Sequence, residues 1–218
     1  MRDLAKRLLN DEEKKQVEAA VAMAEKKTSG EVVCMIVSSS YHYPVSNIIG
    51  AAAISLPLSL LLAPLAGAWL WLGTQNMWLF LGIFTVLFIV GYFSVKYILT
   101  LKRIFVSKRE MTEEVEEAAI THFFLHGLHR TRDQNGILLF ISIFERKVWI
   151  LADSDINEKV PEGHWDAVVA RLTEGIRRKQ SATAICRAIH SIGDELKHHF
   201  PLKADDTNEL ENLILEKK

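Results

Sequence analysis

Apolar residues near the start of the chain recur at helical spacing. Val17, Val21 and Ala24 mark one face of a helix that Asn10 opens as N-cap, with Glu13 at the third helical position. Gly30 ends that helix, and Val32-Val33-Cys34-Met35-Ile36-Val37 follows as a continuous apolar run suited to a strand buried on both faces. The pattern then loses its polar positions: from Val32 to Val95 run 64 consecutive residues without an Asp, Glu, Lys or Arg.

A run of that length exceeds any buried core helix. A hydrocarbon layer of about 30 Å needs roughly 20 apolar helical residues. Ile48–Leu72 supplies 25 and Met77–Val95 supplies 19, with the uncharged polar turn Gly73-Thr74-Gln75-Asn76 between them. The pattern predicts a transmembrane hairpin with spans at 48–72 and 77–95, inside a segment from 45 to 98. Aromatic residues sit where interfacial rings belong: Tyr41 and Tyr43 before the first span, Trp69 and Trp71 at its close, Trp78, Tyr92 and Tyr97 around the second. Pro57 and Pro64 lie about two turns apart, which puts both on nearly one face and predicts a kinked first helix whose freed carbonyls need cover from the partner helix or from other chains. The spans hold no ionisable residue, as expected of an anchor rather than an ion pathway. Lys96, Lys102, Arg103, Lys108 and Arg109 follow the second span, Lys26 and Lys27 precede the first, and the connecting turn has no cation. The positive-inside rule therefore predicts both termini in the cytoplasm. The first residues lack an apolar core of signal-peptide length.

Periodicity returns after the spans. Ser107 and Glu110 have capping-box spacing, and Val115, Ala118, Ala119, Ile120 and Phe123 carry a helix to Gly127. Ile137 to Ile143, a turn at Phe144-Glu145-Arg146-Lys147, and Val148 to Ala152 read as a β-hairpin. Helices are predicted from Trp165 to about Arg178 and from Ser181 to Phe200, stopped by Pro201. Residues 203–218 read as a polar tail. The parts are thus 1–38 (helix and strand), the membrane hairpin, 99–202, and the tail. Neither soluble part can bury its strands alone, so the two are expected to pair into one α/β domain interrupted by the hairpin.

Composition narrows the partners. The 26 basic and 27 acidic residues give a net charge of −1, which gives no reason to expect nucleic acid. The lipid bilayer is the partner the hairpin predicts, with self-association through it and an unidentified protein partner as further expectations. Cys34 and Cys186 show no CxxC or Cys–His spacing and read as reduced residues.

Several pieces, in this order, resemble the TPM domain family: Thr28-Ser29-Gly30-Glu31-Val32-Val33, the run from Arg130 to Leu139, Glu145-Arg146-Lys147-Val148, Ile150 to Asn157, and Trp165-Asp166-Ala167-Val168-Val169. The ending His199-Phe200-Pro201, with Asp205-Asp206 and Asn208-Glu209-Leu210, is similar to the bacterial membrane-bound branch. The resemblance implies a helix–sheet–helix sandwich and a bacterial inner-membrane location. It also implies a choice of roles, since some plant members are described as acid phosphatases with bound calcium and others act as assembly or modulatory factors.

The candidate chemistry lies at one edge of the expected sheet. A parallel crossover from the first strand to the second sets their N-terminal ends together. The hairpin then brings the end of the third strand back to that edge. Glu31, Asp133, Asp153 and Asp155 would gather there, an oxygen-rich set that suits Ca2+ or another divalent cation, with Asn135 as a further carbonyl donor. Arg130, Arg132 and Arg146 are the candidate anion binders beside it. The same carboxylates also suit turns and strand ends, and the arginines suit surface ion pairs. Because the first strand leads into the hairpin, this acidic edge is expected to face away from the bilayer. His122 and His126 share a helix face, but Phe123 stands where a zinc protease needs Glu, and His129 lies beyond Gly127. No catalytic residue is identified. Three roles remain in play: a cytoplasm-facing interaction or assembly module, a metal-assisted acid phosphatase, and part of an oligomeric pore or transporter.

Overall fold

The computed structural model describes residues 4–161, 163–202 and 210–216. In chain order its elements are α1 (Ala5–Leu8), α2 (Asp11–Glu25), β1 (Glu31–Val37), α3 (Pro44–Trp69), α4 (Met77–Tyr97), α5 (Leu99–Ile104) and α6 (Lys108–Leu125). There follow β2 (Gly136–Ser142), β3 (Lys147–Ala152), α7 (Ser154–Lys159), α8 (His164–Arg177), α9 (Ser181–His199) and β4 (Leu213–Glu216). The chain divides into two compact units, one over residues 42–111 and the other joining the segments on either side of it.

The second unit is built around a four-stranded sheet of order β3-β2-β1-β4. β1 runs parallel to β2 from Glu31↔Gly136 to Val37↔Ser142, and β2 turns back into antiparallel β3 from Ser142↔Lys147 to Ile137↔Ala152. Every residue of β1 and β2 is buried, as the unbroken apolar runs predict. Alternation sorts their side chains between two cores. Val32, Cys34, Ile36, Ile137, Leu139 and Ile141 pack against α1, α2 and α7 to α9. Val33, Met35, Val37, Leu138 and Phe140 pack against Val115, Ala118, Ala119 and Phe123 of α6. The result is the helix–sheet–helix sandwich expected from the sequence. Both halves of the capping box are made at α2: Glu13 N–H donates to Asn10 Oδ1 at 2.8 Å and Asn10 N–H donates to Glu13 Oε2 at 2.7 Å. At α6, Glu110 N–H donates to Ser107 Oγ at 3.0 Å.

One expectation needs correction. The segment read as a tail over 203–218 contributes β4, which pairs parallel with β1 from Cys34↔Leu213 to Val37↔Glu216. Leu213 and Leu215 join one core and Leu210 and Ile214 the other. The apolar run Leu213-Ile214-Leu215, set between Glu211 and Glu216, is too short to signal a strand by itself, but β1 offers it an edge of unpaired backbone groups. Asp205, Asp206, Asn208 and Glu209, quoted above for the resemblance, lie outside the described residues.

In the other unit, α3 and α4 form the expected pair, and α3 is continuous through Pro57 and Pro64, both exposed. Its inner face is a stripe of small residues four apart, Ala51, Ser55, Ser59, Ala63 and Gly67, all buried. Small residues let helix backbones approach closely; a Cβ on Gly91 of α4 would sit 3.4 Å from the Cα of Ala51. Outward lie leucines, isoleucines and aromatic rings, so only 28 % of the most apolar window of α3 and 11 % of that of α4 is buried. A core helix of a soluble protein would be mostly covered. Both helices are long and apolar enough to cross a bilayer, about 39 Å and about 31 Å at 1.5 Å per residue. At their base the ammonium of Lys102 donates to the carbonyl of His42 and lies 6.0 Å from the ring centre of Tyr43.

Candidate functional site

The sheet has two polar poles, one at each end of its parallel strands. At the N-terminal pole the register brings together the positions expected there. Glu31 opens β1, is 5 % exposed, and its N–H donates to the carbonyl of Asn135 at 3.3 Å. Asn135, also buried, receives its place from both sides. Its N–H donates to Thr131 Oγ1 at 3.2 Å, and its amide Nδ2 donates to the carbonyl of Ser29 at 2.6 Å. Asp153 N–H donates to the carbonyl of Gly136 at 2.9 Å, and Asp153 Oδ1 accepts from Ser154 N–H at 2.8 Å to cap α7. Its second oxygen, Oδ2, is buried without a hydrogen-bond partner among the described residues. Asp155 lies in the first turn of α7, and Asp133 in the turn closed by Gln134 N–H on the carbonyl of Thr131.

Topology gathers these carboxylates at one edge without making them a ligand cage. Among the described residues, no three His, Cys, Asp or Glu side chains stand together as a set able to hold a metal ion. Asp153 spends one oxygen on the helix it caps, which is the turn role its residue type also suits. Arg130 and Arg132 are exposed on the approach to β2, with Arg130 Nε donating to His129 Nε2 at 3.2 Å. Arg146 is not there. It sits in the turn after Ser142, at the opposite end of β2, six residue steps or about 20 Å from Gly136. Strand direction decides the matter: a hairpin turn belongs to the end where β2 finishes, and the N-terminal pole is where β2 begins.

The C-terminal pole is the more closely built of the two. Here Ser38, Ser39 and Ser40 leave β1, and Glu145 of the β2–β3 turn is buried against them at 2 % exposure. Glu145 Oε1 accepts from Ser39 Oγ at 3.1 Å and Ser40 N–H at 3.0 Å, while Oε2 accepts from Ser142 Oγ. Phe144 N–H closes the turn on the carbonyl of Ser38 at 3.1 Å. Beside it a cleft of about 390 Å³ is lined by Ser40, Tyr41, Glu114, Glu117, Thr121 and His122. His122 is 6 % exposed, with Nε2 3.3 Å from Glu216 Oε2 at the end of β4. Its ring stacks on His126 at 5.7 Å and on Phe140 at 5.8 Å. His129 packs on Phe124 at 4.8 Å. The three histidines therefore pack and pair rather than converge on one point.

Sequence reasoning passed over Glu145, His122 with Glu216, and the serines. A signal was present: in parallel sheets, polar sites collect beyond the carboxyl ends of the strands, and Ser38-Ser39-Ser40 stands at such an end. For nucleophilic chemistry the thiols offer nothing. Cys34 is fully buried, and burial first, then the neighbouring Cys186, pushes its thiol up to about 12. Burial also raises Cys186. A thiol so held is not ionised near neutrality.

Residues 97–195 match the family model of the TPM domain. That stretch holds α5 to α9 with β2 and β3, while β1 and β4 lie outside it. No curated protein matches the chain. Among solved structures, the NMR structure of the BA42 protein from the psychrophilic bacterium Bizionia argentinensis is similar over 96 % of this chain and 95 % of that one, at 20 % identity and a TM-score of 0.58. At that identity the likeness speaks for the fold. The family match, the order of the quoted sequence pieces and the sandwich agree: residues 97–195 are similar to a TPM domain.

Proposed function

We infer that this chain is a membrane-anchored TPM-domain protein whose sandwich serves as an interaction or assembly module on the cytoplasmic side of a bacterial inner membrane. The observation that carries the reading is the pair α3 and α4, long, apolar and largely uncovered, inserted between the first strand of the sandwich and the rest of it. An anchor inserted there cannot be shed without cutting the domain itself. The cation-rich exit from α4, with Lys96, Lys102 and Arg103, supports the cytoplasmic orientation. Retention of the full chain in alkali-washed membranes, with a single-cysteine label on the Gly73–Asn76 turn reacting only from the far side, is the expected result. Release by alkali, or labelling from the cytoplasmic side, overturns it.

A divalent cation at the N-terminal pole is the second part of this reading, supported by the buried Oδ2 of Asp153. Calcium would have to draw further oxygens from backbone carbonyls and water. Calcium is then expected to raise the melting temperature of the wild type and to leave the Asp153→Asn, Asp155→Asn variant unmoved; equal responses remove the site. The phosphatase alternative has that same oxygen and the family resemblance behind it. Its test is release of phosphate from a generic aryl phosphate with calcium or magnesium, lost in Asp153→Asn.

A further inference from the structure

A second cleft, about 390 Å³, opens at the turn end of β2 and β3, on the face of the sheet that carries α1 and α8. It is distinct from the cleft at His122 and uses none of its residues. Its floor is Ile141 and Val148, both buried, and its walls are Leu8, Ile143 and Ile176, each left half-buried. That volume is within the range of small-molecule sites, about 300–1,000 Å³. At about 30 Å³ for a water-sized group it holds about a dozen heavy atoms.

The polar groups around this cleft are few, and their commitments decide what fits. Ser142 Oγ donates to Glu145. Arg177 is held by Glu174 at 2.8 Å, which Arg178 shares. The hydroxyl of Thr173 and two cations, Arg146 and Lys147, remain, the cations side by side at the rim with no carboxylate partner among the described residues. Their presentation is fixed: Arg146 is in the left-handed region at φ 54°, and its N–H donates to the carbonyl of Ile143 at 3.2 Å. The buried Glu145 beside it ties that turn to the end of β1. A peptide brings an N–H and a C=O with every residue, and an apolar wall leaves each of those groups unpaired at a cost. A single apolar chain ending in one anion has no such groups. It covers the half-buried walls and sets its charge against the two free cations.

We propose that this cleft binds a medium-chain carboxylic acid, the acyl chain lying against Leu8, Ile143 and Ile176 and the carboxylate meeting Arg146 and Lys147. The inference does not depend on the membrane orientation or on a cation at the opposite pole.

The test uses the full chain in phosphatidylcholine nanodiscs, photolabelled with a diazirine-bearing dodecanoic acid or with its methyl ester, the labelled peptides being read by mass spectrometry. The acid is expected to label the peptides containing Ile143 and Ile176 at least tenfold more than the ester, with unlabelled dodecanoate competing. That labelling is expected to fall at least tenfold in Arg146→Glu, Lys147→Glu, and again in Ile176→Trp, which fills the cleft and leaves the cations in place. Unchanged melting of the Ile176→Trp variant shows that loss of label is not loss of fold. Equal labelling by acid and ester, or full labelling of Ile176→Trp, overturns the proposal. So does competition by an acidic peptide where dodecanoate fails, because the occupant is then a protein.

Discussion

Ser39, Ser40 and Ser142 turn two hydroxyls and one backbone amide onto the carboxylate of Glu145, a side chain 2 % exposed. Ser39 Oγ also has the carbonyl of Tyr41 as an acceptor at 2.7 Å, so truncating that carboxylate strands two donors, Ser40 N–H and Ser142 Oγ, in a place water reaches poorly, and each orphaned group costs about 1–3 kcal/mol. Glu145→Ala is therefore expected to lower stability by about 2 kcal/mol or more in a denaturant titration, whereas Glu158→Ala on the exposed side of α7 should change it by less than about 0.5 kcal/mol. Equal losses at the two positions would remove the turn-locking role. Cys34 makes a contrasting case in which burial alone sets the chemistry. Its thiol is raised from 9.0 to about 12 in the folded chain. Between those values the unfolded thiol has lost its proton and the folded one keeps it, so the unfolded state binds fewer protons and stability falls as pH rises, by up to about 1.4 kcal/mol per pH unit. Below pH 9 the effect vanishes. Cys34→Ala is expected to give a flatter stability profile from pH 9 to 11 than the wild type, and iodoacetamide should modify Cys34 only after denaturation. An equally steep profile in the variant would show that other groups carry the alkaline loss.

At the scale of elements, what was legible was whatever the chain encodes locally. The Asn10–Glu13 box, the buried first strand, the β2–β3 hairpin and the two long apolar helices each fit within one window and each formed as expected. β4 did not, because its reason to be a strand is β1, some 180 positions away. Arg146 was assigned to the wrong pole although its turn was read correctly; the strand direction had to be carried through to the third strand. The serines and Glu145 at the other pole carry no spacing signature, since they meet only when β1 and β2 lie in register. β4 also invites a direct check. Cys34 N–H donates to the carbonyl of Asn212 and Ser38 N–H to that of Glu216, both at 3.1 Å. Ile214→Asp puts a charge into the core shared with Met35 and Val37, so these two amides are expected to exchange with deuterium at least 100-fold faster, while Ile143 N–H, bonded to the carbonyl of Val37, changes much less. A uniform rise at all three would mean that the whole sandwich, not the strand, had loosened. In the hairpin unit the glycines separate in the same way. A Cβ on Gly67 would fall 2.3 Å from the carbonyl oxygen of Gly73, and one on Gly82 would meet nothing within 4 Å. Gly67→Ala should therefore lower the temperature at which the detergent-solubilised chain aggregates, and Gly82→Ala, a better helix former, should hold or raise it.

For the whole molecule, the sheet is assembled from three separate stretches of chain, the insertion parting β1 from β2 and β3, and α7 to α9 parting these from β4. The family match begins at residue 97 and ends at 195, so it holds β2 and β3 but neither β1, their parallel partner, nor β4. β1 is the joint of this assembly, since β4 pairs with it and β2 pairs with it on the other side. Without β1, the edge of β2 lies open, Ile137 to Ile141 lose cover, and β4 has no strand to join. A chain limited to 97–195 is therefore expected to lack a cooperative unfolding transition and to associate through β2, even though it contains everything the family model matches. Supplying residues 1–41 in trans to a chain of 112–218 restores all four strands without the two apolar helices, and should recover a cooperative transition, with protection from exchange returning at Leu139 and Ile141, whose amides lie on the β1 side of β2 as that of Ile143 does. Loop closure is lost in such a two-chain assembly, so its stability should depend on concentration. If 97–195 alone melted cooperatively with the same midpoint as the two-chain assembly, β1 would be dispensable, and the hairpin would be a neighbour of an independent domain rather than an insertion within one.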